Sequence, residues 1–386
     1  MKKLICISLS LILFFLLPSG VYAKDLHSEV SAPPPSTSAE SAILMDADSG
    51  RILYEKNAHK RMGMASTTKL MTALVALSLA DKDRIISIPA EAVGIEGSSV
   101  YLVEGEKLTL EELILALLLS SANDAATAIA ISLAGSEEAF ADKMNEYARS
   151  LGLADTHFTN PHGLYSEEHY TTAKDLGVIA AEALKNETIR RIVATKKATI
   201  PHDGKADARL LVNHNRLLKS YDGAIGMKTG FTKATGRCLV SAAQRDGLTL
   251  ICVTLNAPDD WRDHTAILDF GFENFERRIF YTASAFSYAL PLCDSQRDSV
   301  SLTNTEPLSL TVRKGSEIDD LTVEAPFRFA VGSVRRGNFF GQVTVCADGQ
   351  SVSSPLAFAE STTGNTRRRI GFFERIYTFF LPDEQQ

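Results

Sequence analysis

The sequence lacks the motifs by which most cofactor-dependent and metal-dependent proteins are recognised. Its 386 residues contain neither a GxGxxG stretch nor a P-loop, and its five cysteines form neither a CxxC pair nor a zinc-like spacing. His162, His169 and His214 show no metal-ligand spacing, and we expect them to be structural, with His214 nearest to a functional site. The sequence therefore predicts no cofactor and no metal.

Basic surface is also scarce in this chain. The net charge is −7, and the body of the chain has no basic patch interleaved with aromatic residues. These features argue against nucleic acid as a main partner. With 45% hydrophobic and 23% charged residues, the composition is that of a globular chain, long enough for two domains.

The N-terminus has the features of a secretory signal. Lys2 and Lys3 precede an apolar run at 4–17, which a small-x-small cleavage pattern follows. The alternative, a retained anchor, would need a longer apolar run. We therefore predict a signal peptide at 1–23, a mature protein outside the cytoplasmic membrane, and a flexible proline- and serine-containing linker at 24–40.

Four cysteines remain in the mature chain, because Cys6 leaves with the signal peptide. Export permits disulfides, and the within-domain pairings would be Cys238–Cys252 and Cys293–Cys346. Free buried thiols are an equally acceptable alternative.

A serine and a lysine open a strongly apolar segment. Ser66-Thr67-Thr68-Lys69 leads into a run at 70–79 that predicts a buried helix. Residues three apart on a helix are neighbours, so the Lys69 amine can act as a base for the Ser66 hydroxyl. Burial would let Lys69 lose its proton near neutral pH. The alternative is that Ser66 is only an N-cap.

A second polar pair interrupts two apolar helices. The runs at 110–119 and 125–133 predict consecutive buried helices, and Ser121 and Asn123 lie in the break between them. Such a break is often only a loop with capping residues. Beside a nucleophile, however, a buried hydroxyl and amide can relay a proton and hold a substrate amide.

The third element is Lys228-Thr229-Gly230-Phe231. Runs at 238–243 and 248–255 predict two adjacent antiparallel strands, which places Lys228 and Thr229 on or beside an edge strand. Gly230 leaves the backbone open to close approach, and an edge strand can pair with an extended peptide. The lysine offers a positive charge to a carboxylate, unless it merely faces water.

Together, Ser66-x-x-Lys69, Ser121-x-Asn123 and Lys228-Thr229-Gly230 resemble the motif set of penicillin-binding proteins and class A β-lactamases. The chain is most similar to the low-molecular-mass D-alanyl-D-alanine carboxypeptidases, peptidase family S11. The resemblance covers about 38–280. The matching segments are 65–73, 121–126, 160–164 and 228–232.

This resemblance implies an α/β (α+β) catalytic domain at 41–280, built on a central antiparallel sheet. It also implies acyl transfer by Ser66 to peptidoglycan stem peptides, with Lys69 as general base and β-lactam antibiotics as acylating inhibitors. The backbone N–H groups of Ser66 and Phe231 would form the oxyanion hole.

The remaining roles implied by the resemblance concern proton transfer and substrate binding. Ser121 and Asn123 would relay the proton and orient the peptide amide. Lys228 and Thr229, followed by Gly230, would hold the terminal carboxylate of the substrate.

Two positions depart from the family pattern. Ala122 replaces a glycine found in many relatives, at a position that points away from the site. Phe231 stands where some members carry histidine or tyrosine, so a ring hydrogen bond during deacylation would be lost. Two rival functions are a serine β-lactamase, for which no glutamate motif is found, and a non-catalytic sensor of penicillin or stem peptides.

The C-terminal third has a different sequence pattern. Short alternating runs divided by turn residues predict a small all-β sandwich at 281–360. At 361–386, arginines precede Ile370, Phe373 and Tyr377, which share one helical face. This tail is too short to span a bilayer, so we expect it to lie on the membrane surface or, alternatively, to dock on the sandwich. The predicted location is the outer face of the bacterial cytoplasmic membrane.

Overall fold

A computed structural model describes residues 33–202, 208–295 and 297–364. The predicted signal peptide, and the tail beyond residue 364, lie outside the described residues. The helices within these ranges are α1 Lys69–Leu79, α2 Leu110–Leu119, α3 Asn123–Ala134, α4 Glu137–Ser150, α5 Ala173–Lys185, α6 Glu187–Ala194, α7 Leu217–Ser220 and α8 Asp260–Asn274.

The strands fall into two groups along the chain. Those of the first group are β1 Ser41–Asp46, β2 Ile52–Lys56, β3 Ile85–Ser87, β4 Lys107–Thr109, β5 Lys197–Ile200, β6 Arg209–Val212, β7 Ala224–Thr232, β8 Gly236–Arg245 and β9 Leu248–Leu255. Those of the second group are β10 Phe275–Tyr281, β11 Ser287–Cys293, β12 Ser299–Asn304, β13 Leu308–Arg313, β14 Asp320–Glu324, β15 Ala330–Val331, β16 Phe339–Ala347 and β17 Gln350–Phe358.

The first group forms a five-stranded sheet in the order β2-β1-β9-β8-β7, and every pair in it is antiparallel. The predicted central antiparallel sheet is thus confirmed, with β7 at its edge. The short strands pair separately, β3 with β4 and β5 with β6.

Strand β1 shows how the sheet is buried on both faces. All six of its residues are buried. Successive side chains of a strand point to opposite faces. Ile43 and Met45 accordingly pack into the larger core with α1 to α6, while Ala42 and Leu44 pack into a smaller core against α8.

The same alternation decides the state of the buried cysteines. Cys238 and Cys252 lie on neighbouring strands but belong to the two different cores, so their thiols are on opposite faces of the sheet. Cys293 and Cys346 lie on β11 and β16, which are not neighbours. All four cysteines are free, and the disulfide pairings allowed by the sequence do not form.

The second group of strands builds the C-terminal β domain. Six strands pair in the order β14-β16-β17-β12-β11-β15, and a two-stranded ladder of β10 and β13 packs beside them. Strand β10 follows α8 directly, so the sequence-based border at residue 280 falls inside a strand. Arg51 joins the two parts by an ion pair with Asp348, 2.7 Å between Nη2 and Oδ2.

Across the described ranges, the structure contains no helix with the length and apolar character needed to cross a membrane.

Candidate active site

Ser66 lies in a tight 3-10 turn, Ala65–Thr68, that leads directly into α1. Two hydroxyl groups within the turn hold it: Thr67 Oγ1 donates to the Met64 carbonyl at 2.6 Å, and Thr68 Oγ1 to the Ala65 carbonyl at 2.8 Å. No side-chain capping bond is made at the start of the turn or of α1. Ser66 is therefore not a helix cap, and its hydroxyl is free for other chemistry.

The Lys69 amine lies at the centre of the site. Its Nζ donates to Ser66 Oγ at 2.9 Å, to Asn123 Oδ1 at 2.6 Å and to the His162 carbonyl at 2.7 Å. The side chain is fully buried. Burial, with a smaller contribution from the positive charge of Lys228, holds the pKa of Lys69 well below its usual value. The predicted contact between Ser66 and a base is thus present.

A second serine–lysine contact faces the first. Ser121 lies between α2 and α3 with a φ of +60°, and its Oγ accepts a hydrogen bond from Lys228 Nζ at 3.1 Å. Lys228 also donates to the Thr229 carbonyl at 2.8 Å and is only 1% exposed. Burial lowers the pKa of Lys228 to about 7. This lysine does not face water, and it lies behind the surface of the site.

Asn123 connects the catalytic lysine to a loop that forms one wall of the site. Its Nδ2 donates to the Glu96 carbonyl at 2.6 Å, and its N–H to the Ser98 carbonyl at 2.7 Å. The neighbouring carboxylate of Asp124 is fully buried and accepts bonds from Ser99 Oγ and from two N–H groups of the same loop. Asp124 was assigned no role from sequence, yet it anchors this wall.

Strand β7 passes very close to the nucleophile. A Cβ atom added at Gly230 would lie 3.0 Å from the Ser66 nitrogen and 3.1 Å from Ala65 Cβ. Glycine suits this approach, because a Cβ atom here would make contacts tighter than most real ones and the neighbouring atoms would have to shift by a few tenths of an ångström. The Ser66 nitrogen therefore lies close to the backbone of β7 at Gly230.

These elements surround an open cleft of about 520 Å³. Its lining residues are Ser66, Ser98, Ser121, Asn213, His214, Arg216, Thr229, Gly230, Phe231, Arg237, Asp260 and Trp261. Of the predicted site residues, Lys69, Asn123 and Lys228 support this lining from behind. The structure brings the other predicted residues together at the cleft surface: Ser66, Ser121, Thr229, Gly230 and Phe231.

Sequence analysis missed the charged pair at one end of the cleft. Arg237 Nη2 forms a 3.0 Å ion pair with Asp260 Oδ2, and the arginine side chain remains 41% exposed. Arg237 is the second residue of β8, the strand next to Lys228-Thr229-Gly230, and that adjacency was the available signal. Asp260 and Trp261 come from the start of α8, which no sequence pattern linked to the site.

Two of the three histidines lie at the site: His214 lines the cleft, as predicted, and His162 contacts Lys69 through its backbone. His214 lines the cleft, and burial lowers its pKa. His169 Nδ1 accepts the Thr159 N–H, so its Nε2 donates to Thr68 Oγ1 at 2.8 Å; burial lowers its pKa to about 3. His162 contributes its backbone carbonyl to Lys69. Among the described residues, no cluster of three or more histidine, cysteine or acidic side chains could hold a metal.

A buried Ser–Lys pair at the start of a core helix, facing an edge strand, defines a serine-dependent acyl-transfer site. The family model of peptidase S11, D-alanyl-D-alanine carboxypeptidase, matches residues 28–259. The chain belongs to this family.

Named relatives agree with this assignment. The chain is 32% identical over 371 residues to D-alanyl-D-alanine carboxypeptidase DacF of Bacillus subtilis, covering 93% of this chain and 94% of that protein. It is 30% identical over 392 residues to DacC of Escherichia coli, covering 96% and 94%.

Solved structures show the same likeness. Penicillin-binding protein 5 of Haemophilus influenzae superposes with a TM-score of 0.70 at 26% identity, covering 86% of this chain and 99% of that chain. The Streptomyces K15 DD-transpeptidase superposes with a TM-score of 0.60 at 36% identity, covering 63% and 100%. The fold predicted from sequence is confirmed.

Proposed function

We propose that Ser66 is the acyl-ester nucleophile of this serine-type D-Ala-D-Ala carboxypeptidase. The enzyme removes the terminal D-alanine from peptidoglycan stem pentapeptides. The observation that carries the proposal is the 2.9 Å contact between Lys69 Nζ and Ser66 Oγ, made by a fully buried amine whose pKa is lowered. Such an amine is neutral at a lower pH than a solvated lysine and can accept the serine proton.

Acylation follows from the positions of these groups. The Ser66 oxygen attacks the carbonyl carbon between the two D-alanines while its proton moves to Lys69. The N–H groups of Ser66 and Phe231 stabilise the oxyanion, because β7 runs alongside the nucleophile turn. The C–N bond then breaks as Ser121, bonded to Lys228, passes its proton to the leaving amine. The proton that Lys69 took from Ser66 replaces it on Ser121, so Lys69 is neutral again before deacylation.

Deacylation completes the cycle. Water attacks the Ser66 ester, with Lys69 accepting its proton, and the shortened stem peptide leaves with a new carboxyl group. The proton returns to the serine oxygen, so the enzyme is regenerated unchanged.

Substrate binding uses one residue that the sequence did not suggest. Thr229 and Arg237 both line the cleft, and the exposed part of the Arg237 guanidinium, on the strand next to Thr229, is a cation available to a terminal carboxylate. Lys228 is buried behind them and acts through its hydrogen bonds to Ser121 and to the Thr229 carbonyl rather than by direct contact. Asn123 lies behind the cleft lining and holds Lys69 through its amide oxygen.

The β-lactamase alternative is less well supported. Fast hydrolysis of a penicilloyl ester needs a carboxylate to activate water. Among the described residues that line the cleft, Asp260 is the one carboxylate, and it is paired with Arg237. β-Lactams are therefore expected to acylate Ser66, and the resulting ester is expected to be hydrolysed slowly.

The cellular location is part of the proposal. A peptidoglycan substrate lies outside the cytoplasmic membrane, in agreement with the predicted signal peptide at 1–23 and membrane-associating tail at 361–386. We place the enzyme on the outer face of the membrane. Fractionation of cells that produce the full chain or a form ending at residue 360 would test this, and equal release of both forms into the soluble fraction would contradict a role for the tail.

The catalytic proposal is tested with diacetyl-L-lysyl-D-alanyl-D-alanine. Free D-alanine is quantified for the native protein and for Ser66→Ala, and a fluorescent penicillin labels the active serine. Release and labelling by the native form alone would support Ser66 as nucleophile. Labelling of Ser66 without any release of D-alanine would instead favour the penicillin sensor.

A further inference from the structure

Exposed phenylalanines and arginines occur together on two connected loops of the C-terminal β domain. The loops join β14 to β15 and β15 to β16. Phe339 is 70% exposed and Phe329 is 36% exposed. Arg328, Arg335 and Arg336 are exposed as well, and these five residues are named the loop patch. Single exposed apolar residues are common on proteins, but aromatic rings grouped with cations indicate a binding surface.

The backbone around Phe339 holds its ring outward. The next residue, Phe340, packs on Phe358 with 5.2 Å between the ring centres, against the core of the β domain. Because successive side chains of a strand point to opposite faces, Phe339 points away from this core. The turn before it is closed by the Asn338 N–H, which donates to the Arg335 carbonyl at 3.2 Å.

Packing brings both loops to the same end of the β domain. A Cβ atom added at Gly341 would lie 2.3 Å from the Glu324 oxygen and 3.1 Å from Ala325 Cα, so the first loop starts beside the start of β16. This loop leads to Ala330, which pairs with Leu292 at the end of β11. In the antiparallel order β16-β17-β12-β11, the end of β11 and the start of β16 lie at one end of the sheet.

This end is the one farther from the catalytic domain. Strand β16 leads from Phe339 to the turn at Asp348, which forms the ion pair with Arg51 of the catalytic domain. The nine residues of β16 span about 30 Å. A partner bound to the loop patch therefore does not need to cover the active-site cleft.

The charge of the loop patch indicates an anionic partner. The stretch 325–339 contains three arginines and no acidic residue. None of these arginines forms an ion pair with another residue that the structure describes, whereas Arg297, at the same end, is paired with Glu360. Arginines alone would suit any polyanion, but a soluble polyanion would not use the exposed rings. Cations beside apolar rings suit an anionic lipid surface.

The described chain also ends beside the loop patch. Thr362 pairs with Val334, and the Gly364 N–H donates to Ser333 Oγ at 2.9 Å. The sequence that follows contains three consecutive arginines at 367–369. Because this sequence and the loop patch are both cationic, they repel each other, and a third, anionic surface can bind both.

We propose that the loop patch is a membrane contact made by the folded β domain, with anionic phospholipid as its partner. Its arginines bind lipid phosphates, and the rings of Phe329 and Phe339 enter the boundary between headgroups and acyl chains. This contact is separate from the membrane-associating tail predicted from the sequence. It goes beyond the proposed reaction and shares with it only the location on the outer face of the membrane.

Sedimentation with vesicles tests the contact in the chain of residues 24–386. Binding to vesicles of phosphatidylcholine and phosphatidylglycerol should be stronger than to phosphatidylcholine alone. It should fall about tenfold in Arg335→Gln/Arg336→Gln and several-fold in Phe339→Ser. No binding to the mixed vesicles, or native binding in both variants, would overturn the proposal.

Matched controls come from the catalytic domain. Arg149→Gln/Arg190→Gln removes two exposed arginines of α4 and α6, and Ile85→Ser removes a 60% exposed residue of β3. These variants should bind vesicles like the native protein. Losses as large as those of the patch variants would show that binding follows overall charge or apolar exposure, and would overturn the proposal.

A tryptophan in the loop patch reports on the contact directly. Trp261 is the only tryptophan of the sequence and lines the active-site cleft, so native fluorescence should not respond to phospholipids brominated on their acyl chains. In Phe339→Trp, brominated vesicles should quench the added emission. Unquenched emission from the vesicle-bound variant would show that another part of the chain makes the contact, or that the tail covers the patch, and would overturn the proposal.

The proposed function fails independently of this contact. The patch variants should release D-alanine from a soluble peptide at the native rate, which also shows that they are folded. Absence of release by the native protein would overturn the proposed function, and vesicle binding and quenching would still decide the membrane contact.

Discussion

Lys69 Nζ lies 2.9 Å from Ser66 Oγ and 2.6 Å from Asn123 Oδ1, so the amine is held between the nucleophile and the side-chain amide at the start of α3. Because the lysine is fully buried, its charged form is disfavoured, and its pKa falls well below the usual value. The geometry and the burial act together to make the neutral amine available.

The pH dependence of the acylation rate should follow the deprotonation of Lys69. The neutral amine is the active form, so the rate of penicillin acylation should rise as the pH increases through the lowered pKa and then level off. Lys69→Arg stays protonated and should lose about 10²- to 10⁴-fold in acylation rate, with no rising limb. Lys197→Arg, on the exposed face of β5, is the control. A Lys69→Arg variant with the native pH profile would contradict the base assignment.

Gly230→Ala should damage the oxyanion site. The added methyl group would lie 3.0 Å from the Ser66 nitrogen, so β7 and the nucleophile turn would have to separate by a few tenths of an ångström. We expect kcat to fall at least about tenfold with a smaller change in KM, because the lost interaction acts mainly in the transition state. Steady-state kinetics and urea unfolding measure the two effects. Unchanged kcat in a fully folded variant would show that catalysis does not depend on the close contact between Gly230 and the Ser66 turn.

Arg237→Gln should weaken recognition of a free carboxyl terminus. Loss of a charge-assisted hydrogen bond corresponds to about 10- to 100-fold in kcat/KM. The loss should appear mainly in KM and should be much smaller for a peptide ending in an amide. Asp260→Asn keeps the arginine and removes its partner, so it should have an intermediate effect. Equal losses for the acid and the amide peptide would argue against this role.

Phe231→His should shorten the life of the acyl-enzyme. The Phe231 side chain lines the cleft, is 62% exposed, and has no group to hold the hydrolytic water. A histidine ring can hydrogen-bond that water, so the penicilloyl-enzyme should decay several-fold faster while its formation rate changes little. Phe231→Leu is the matched control. An unchanged lifetime in the histidine variant would show that ring chemistry at this position does not limit deacylation.

Two buried histidines should make the fold sensitive to acid. Burial lowers the pKa of His169 and of His264 to about 3, against 6.5 when solvated. Between these values the unfolded chain binds more protons, so their contribution to the free energy of unfolding is complete above pH 6.5 and is lost as the pH falls toward 3. The slope is about 1.4 kcal/mol per pH unit for each histidine at most.

Urea unfolding between pH 7 and pH 4 measures this slope. His264→Gln should lower the free energy of unfolding at pH 7 by disturbing the contacts with Ser241 and Thr254, but it should reduce the dependence on pH. The same slope in the variant as in the native protein would mean that His264 does not titrate between the two states.

Much of the site could be predicted because its parts are local in the chain. Ser66 and Lys69 are three residues apart at a helix start, so helical geometry alone brings them together. The break at Ser121 and the edge strand at Lys228 followed from apolar periodicity and turn residues. Motif order then indicated the family and, with it, the central sheet.

Contacts between distant segments could not be predicted in the same way. Arg237 meets Asp260 only because β8 and the start of α8 converge at one end of the sheet. Cys238 and Cys252 are on adjacent strands, yet the register of the pairing places their side chains on opposite faces of the sheet. A shift of the register by one residue would place them on the same face.

The sequence by itself determined the chemistry: a serine beside a lysine, an amide and hydroxyl in a helix break, and a glycine on an edge strand. The tertiary structure decided the environment of these groups. Burial of Lys69 and Lys228, which lowers their pKa values, arises from packing between segments far apart in the chain. The same holds for the wall of the cleft that Arg237, Asp260 and Trp261 form. Desolvation and cross-strand register are properties of the folded core, so no local pattern encodes them.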